Sequence, residues 1–135
     1  MANFFSYNSK EKLKSRKQLD ELFAKGKSFS VFPIKVFFTE MKNEINFPIK
    51  VGVGVSSKHF KKAVDRNRIK RILREVYRLN KNSLIEYIKL NNKNIAVFFL
   101  YVDKTLPEFS LLQNKMPIVI EKLIKILNEN NISNT

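Results

Sequence analysis

The 135-residue chain carries 26 Lys and Arg against 12 Asp and Glu, a net charge of +14, with 44% hydrophobic residues and no cysteine. That size and composition suit one compact domain with its own core, and they exclude global disorder, a disulfide framework and a thiolate metal site. A small domain this basic repels itself until a polyanion compensates, so nucleic acid is the first candidate partner and an anionic membrane surface the second.

Residues 1–14 are polar and basic around Phe4, Phe5 and Tyr7 and read as a flexible arm without the apolar core of a secretory signal. Ser15 is placed to cap a helix over 16–25, in which Leu19, Leu22 and Phe23 form a one-sided stripe and Gly26 supplies the stop. A strand is predicted over 31–40. Ile34, Val36 and Phe38 alternate there with Lys35, Phe37 and Thr39, and Pro33 marks an edge or bulge near its start. KNEIN at 42–46 reads as a hairpin-type connection to a second strand, IKVGVGVS at 49–56. One face of that strand holds Ile49, Val51, Val53 and Val55; the other holds Lys50, Gly52 and Gly54. Two glycines leave the second face flat, which fits a packed helix or some other group approaching the backbone closely.

A basic helix follows over about 61–80 and breaks at Asn80, Lys81 and Asn82. Ser83 and Glu86 have the spacing of a capping box for a short turn at 84–90. After the turn NNKN, IAVFFLYV at 95–102 is apolar on both faces, as a central strand should be. It is far short of the ~20 residues that span a bilayer. A cytoplasmic protein with no membrane partner is therefore expected. The last helix, over about 110–129, carries Leu112, Met116, Val119, Ile120, Leu123, Ile126 and Leu127, with Pro117 as a kink or the true start. Residues 130–135 read as a disordered tail. The sum is a single domain over 15–129 of the α+β class: helices on a small mixed sheet, order α-β-β-α-β-α, in a two-layer sandwich.

Half of the net charge lies in 21 residues. Between 58 and 78, nine cations (Lys58, Lys61, Lys62, Arg66, Arg68, Lys70, Arg71, Arg74 and Arg78) face only Asp65 and Glu75. On a helical wheel, Ile69, Ile72, Leu73 and Val76 fall together, while Asn67, Arg71, Arg74 and Arg78 lie opposite, flanked by Arg68 and Lys70. The outer row is about 16 Å long at the helical rise. Guanidinium forks fit phosphate oxygens two at a time, and Asn67 adds a donor and an acceptor able to read a base edge or ribose hydroxyl. A merely solvated face would carry glutamates at i−4 to relieve repulsion, and here only Glu75 is available.

Groups able to cut a bond are scarce. His59 is the only histidine and reads as a surface or capping side chain; the acids are scattered, with no P-loop and no GxSxG. Phe37, beside Lys35 and Thr39, is either a second-layer core residue or a platform for an unpaired base.

The stretch VGVGVSSKHFKKAVDRNRIKRILREVYR resembles the protein subunit of bacterial ribonuclease P. Arg66-Asn67-Arg68, then Ile69-Lys70-Arg71 and Leu73-Arg74-Glu75, match that family's signature, as do VGVGVS, Lys58 and Ala63-Val64 before it. Leu13, Leu22-Phe23 and Gly26 match its first helix and glycine stop, so the likeness runs from about 12 to 129. Lys61-Lys62 stand where many members have Gly-Asn, Leu19 stands at an often aromatic position, and Ser57 replaces a frequent lysine beside Lys58.

The resemblance implies an α+β sandwich with a left-handed crossover around the signature helix. It implies that this helix lies against a catalytic RNA, with Arg66, Asn67, Arg68, Lys70, Arg71 and Arg74 as contacts and Lys58, Lys61 and Lys62 in the same surface. It also implies a cleft between the first helix and the sheet for the single-stranded 5′ leader of precursor tRNA, lined by Phe23, Phe37 and Lys35 over a floor that includes Gly52 and Gly54. The chemistry would belong to the RNA with Mg²⁺; no metal ligand is assigned in the protein, and no obligate protein partner is expected. Two other classes share the basic patch: a ribosomal or other structural RNA-binding protein with no role in cleavage, and a DNA-binding regulator. Against the regulator stands a helix with one base reader among many phosphate-type groups.

Overall fold

The computed structural model describes residues 16–41 and 49–133. Its elements are α1 (Arg16–Lys25), β1 (Lys27–Val31), β2 (Ile34–Glu40), β3 (Ile49–Val55), α2 (Ala63–Asn80), α3 (Asn82–Leu90), β4 (Ile95–Tyr101) and α4 (Phe109–Ser133). The four strands form one sheet in the order β1-β2-β4-β3, with β3 and β4 parallel and the other pairs antiparallel.

Period-two alternation divides the sheet into two faces. On the inner face Ile34 and Val36 of β2, Ile49 and Val51 of β3 and Val97, Phe99 and Tyr101 of β4 are fully buried. They meet Ile69, Leu73, Val76 and Tyr77 of α2 and Leu112, Met116, Val119, Ile120, Leu123 and Leu127 of α4. Each such side chain contributes about 1.5–3 kcal/mol of burial. Tyr77 packs on Phe99 with ring centroids 5.6 Å apart, and the Tyr101 hydroxyl donates to the Thr105 carbonyl at 2.5 Å. α3 adds Leu84, Ile85 and Ile88 to the same core. On the outer face α1 is the only helix among the described residues, with Leu22 buried against Ala96.

The α+β architecture of helices on a small mixed sheet is as read from the sequence, with two elements added to the expected order. KSFSV is a strand, β1, joined to β2 through Phe32 and Pro33, whose peptide bond is cis; Pro33 thus sits in a tight turn and not within the strand. The supposed short turn after α2 is a nine-residue helix, α3, and it forms no capping box: Lys81 occupies the N-cap with no side-chain hydrogen bond. β2 and β3 are not paired, because β4 lies between them, so the segment joining them is not a hairpin. KNEIN itself, like the arm at 1–14 and Ser15, lies outside the described residues. β3 reaches its parallel neighbour β4 through α2 and α3, a crossover connection.

Pro117 neither starts nor ends α4, which runs through it and on to Ser133, taking in most of the segment read as a tail. The proline is on the exposed side, where the backbone carbonyl it leaves unbonded can meet water. Gly26 stops α1 for a reason of space. Its N–H donates to the Leu22 carbonyl at 2.8 Å, and a β-carbon there would come within 3.0 Å of the Phe38 carbonyl and closer still to that of Leu22. No described glycine has positive φ, so Gly26 ends the helix, as expected, without a left-handed backbone.

Candidate RNA interface

The cationic surface begins where β3 ends. The Ser56 carbonyl accepts from the backbone N–H groups of His59 and Phe60, both at 3.3 Å, and the Ser56 hydroxyl accepts from that of Lys58 at 3.3 Å. Phe60 then turns inward, 7% exposed, with its ring 6.1 Å from that of Tyr101. This folded loop holds Lys58, His59, Lys61 and Lys62 outward at the N-terminus of α2. Asp65 in the first turn is the helix's own anion there, favourable to the dipole.

Along α2 the wheel is realised with one shift: Tyr77 joins Ile69, Leu73 and Val76 in the buried stripe, and Ile72 is half-buried. Asn67, Arg68, Arg71 and Arg74 are exposed and Lys70 half-buried. None of these five has a side-chain hydrogen bond or ion pair among the described residues. Two other arginines behave differently. Arg78, at the far end of the row, bonds Glu75 with both Nε (3.1 Å) and Nη2 (2.5 Å). That fork holds the Glu75 carboxyl below its usual range, and the guanidinium is raised in turn. Arg66 folds back toward the N-terminus, where its Nη1 donates to the carbonyls of Phe60 (2.8 Å) and Lys61 (2.7 Å). The wheel sets Arg66 apart from Arg71 and Arg74, since it is seven residues from Leu73 and shares its side of the helix, but it does not show what the guanidinium bonds.

The second candidate surface is the outer face of the sheet beyond α1. Phe37 and Phe98 are direct partners across β2 and β4. Phe23 of α1 meets both edge-on, with centroids 5.1 Å from Phe37 and 5.2 Å from Phe98, and remains 48% exposed. Lys35 Nζ is 5.1 Å from the Phe37 ring centroid. The structure thus brings Phe23, Phe37 and Lys35 together, and it adds a residue the sequence reading missed. Phe98 was hidden in a strand that looked apolar on both sides; its period-two neighbours Ala96 and Leu100 share its face.

The glycines acquire a physical reason from the same ring. Gly52 is buried and pairs with Phe98 across the parallel ladder. At Gly54 a β-carbon would stand 2.5 Å from Phe98 Cζ. What approaches the backbone of β3 at Gly54 is therefore an aromatic ring from the neighbouring strand and not a helix.

Among the described residues, no three His, Cys, Asp or Glu side chains cluster as a metal site would need, and no helix is long and apolar enough to cross a membrane. His59 is exposed, and its N–H is used within the loop.

Residues 7–123 match the model of the Ribonuclease P family. The chain belongs to that family. It is 32% identical over 112 residues to the ribonuclease P protein component of Porphyromonas gingivalis, covering 83% of this chain and 82% of that one. Its likeness to the ribonuclease P protein component of Chlorobium phaeobacteroides is 28% over 121 residues, covering 82% and 83%. In fold it resembles the ribonuclease P protein of Staphylococcus aureus, with TM-score 0.66, 21% identity and coverage of 84% of this chain and 94% of that one. The ribonuclease P protein from Thermotoga maritima gives TM-score 0.62 at 24% identity, covering 83% and 96%. Membership places the chain with ribonuclease P and tRNA processing and favours that reading over the ribosomal-protein and DNA-regulator ones.

Proposed function

We propose that this chain binds the catalytic RNA of ribonuclease P through α2 and its preceding loop, and the 5′ leader of precursor tRNA through the outer face of the sheet. In this way it assists endonucleolytic removal of the leader. The observation that carries the reading is the separation of two surfaces of different chemistry. One is the set Arg68, Arg71 and Arg74, exposed and without a side-chain partner among the described residues, with Asn67 beside them, suited to the phosphates of a folded RNA. The other is a half-open aromatic floor of Phe23, Phe37 and Phe98 edged by Lys35, suited to unstacked bases of a single strand.

The chemistry of the two surfaces, cationic on one and aromatic on the other, suits a division of labour in which the RNA supplies the Mg²⁺-dependent step. The protein's part is electrostatic and positional. Cations fixed on a rigid helix lower the repulsion between catalytic RNA and substrate, and a leader grip favours precursor over mature tRNA. The test is cleavage of precursor tRNA by the cognate catalytic RNA at low Mg²⁺, with and without the purified chain. The reading requires cleavage that depends on the protein; equal rates in both arms would overturn it.

A further inference from the structure

We infer that Arg66 is a positioning residue that acts on RNA through the 56–62 loop, and not one more phosphate ligand in the row. The inference rests on the reading of α2 and its loop as an RNA surface. The two hydrogens of its Nη1 go to the carbonyls of Phe60 and Lys61, the last residues before the N-cap Lys62. Those carbonyls precede the first helical bond, from Arg66 N–H to the Lys62 carbonyl at 3.2 Å, so α2's own ladder does not hold them.

One side chain therefore ties the helix to the loop from which Lys58, Lys61 and Lys62 project. A second anchor lies beneath, where Phe60 is buried beside Tyr101. Three flexible ammonium groups on a slack loop would lose conformational freedom on meeting RNA. Held on a stapled loop, they meet it as a preformed cluster. Half-buried Arg66 commits its Nη1 to two backbone carbonyls, whereas exposed Arg71 has no side-chain partner among the described residues.

The two roles predict different salt dependences. A residue that neutralises one phosphate accounts for about one contact, roughly 0.7–0.9 in the slope of log affinity against log salt. A residue that organises three lysines accounts for more than one. The experiment measures binding of the full chain to its catalytic RNA from low to moderate salt, for wild type, Arg66→Gln, Arg71→Gln, Lys61→Gln/Lys62→Gln and the triple variant. Arg71→Gln is expected to cost about one contact and Arg66→Gln two or more. The triple variant should fall no further than Arg66→Gln, and amide exchange at His59 and Phe60 should accelerate in Arg66→Gln. A loss of one contact or none in Arg66→Gln, or full additivity in the triple variant, overturns the inference. A flat salt dependence in the wild type overturns the RNA-surface reading itself. If Arg66→Gln does not fold, Arg66→Met, which keeps the apolar stem, is read by the same slopes.

Discussion

The ring of Phe98 lies across Gly54, where a β-carbon would stand 2.5 Å from its Cζ atom. The bare backbone at residue 54 and the aromatic on the neighbouring strand are one structural unit. Gly54→Ala must push the ring aside, away from its edge contact with Phe23. The expected cost is about 1–3 kcal/mol of stability, read from urea unfolding. An unchanged midpoint would mean that the ring has somewhere else to go.

Phe98→Ala and Phe37→Ala each remove half of a cross-strand pair from the proposed leader floor. Base stacking on an aromatic is worth about 1–3 kcal/mol, so precursor affinity should fall roughly 5- to 150-fold in each. Affinity for mature tRNA, which lacks the leader, should hold. Equal losses for the two ligands would remove these rings from the leader site.

Arg68→Ala and Arg71→Ala take exposed cations from α2. Each should weaken binding to the catalytic RNA and flatten the salt dependence by about 0.7–0.9. Arg78→Ala should cost less, because Glu75 already offsets that charge. Titrations of the three variants against one RNA across a salt series check the ranking.

Glu75 gives a pH signature. Its carboxyl is held below the ordinary value by Arg78, so the pair's small contribution is fully present above about pH 4.5 and is lost as pH falls through the lower folded value. The stability gap between wild type and Glu75→Gln, small for an exposed pair, should be fully open above about pH 4.5 and close as pH falls below it. In RNA binding the same variant should gain, since it raises the net positive charge of the helix.

The sequence made most of the frame legible, because α2, β3 and α4 carry strong hydrophobic periods that tertiary packing reinforces. β1 was missed for a physical reason. KSFSV is short, with serine at two of its five positions, and commits only Phe29 and Val31 to the core, so it is held by pairing with β2 and not by a pattern of its own. α3 was reduced to a turn because the polar run Asn80–Asn82 masked the start of a stripe made by Leu84, Ile85 and Ile88. The cations of the site were readable one by one, but which of them were already spent was not. Arg66 and Arg78 count as charges on a wheel, and only three dimensions show one bonded to carbonyls and the other to a carboxylate. Phe98 needed the knowledge that α1 covers only part of the outer face.

The most direct measurement places a photo-crosslinking benzoylphenylalanine at position 71 or 98 and irradiates the assembled complex of protein, catalytic RNA and precursor tRNA. Two destinations are predicted: catalytic RNA from position 71, on the exposed cationic row, and the 5′ leader from position 98, on the aromatic floor. Adducts to the leader from 71, or to neither RNA from both positions, would contradict the division of the molecule into these two surfaces.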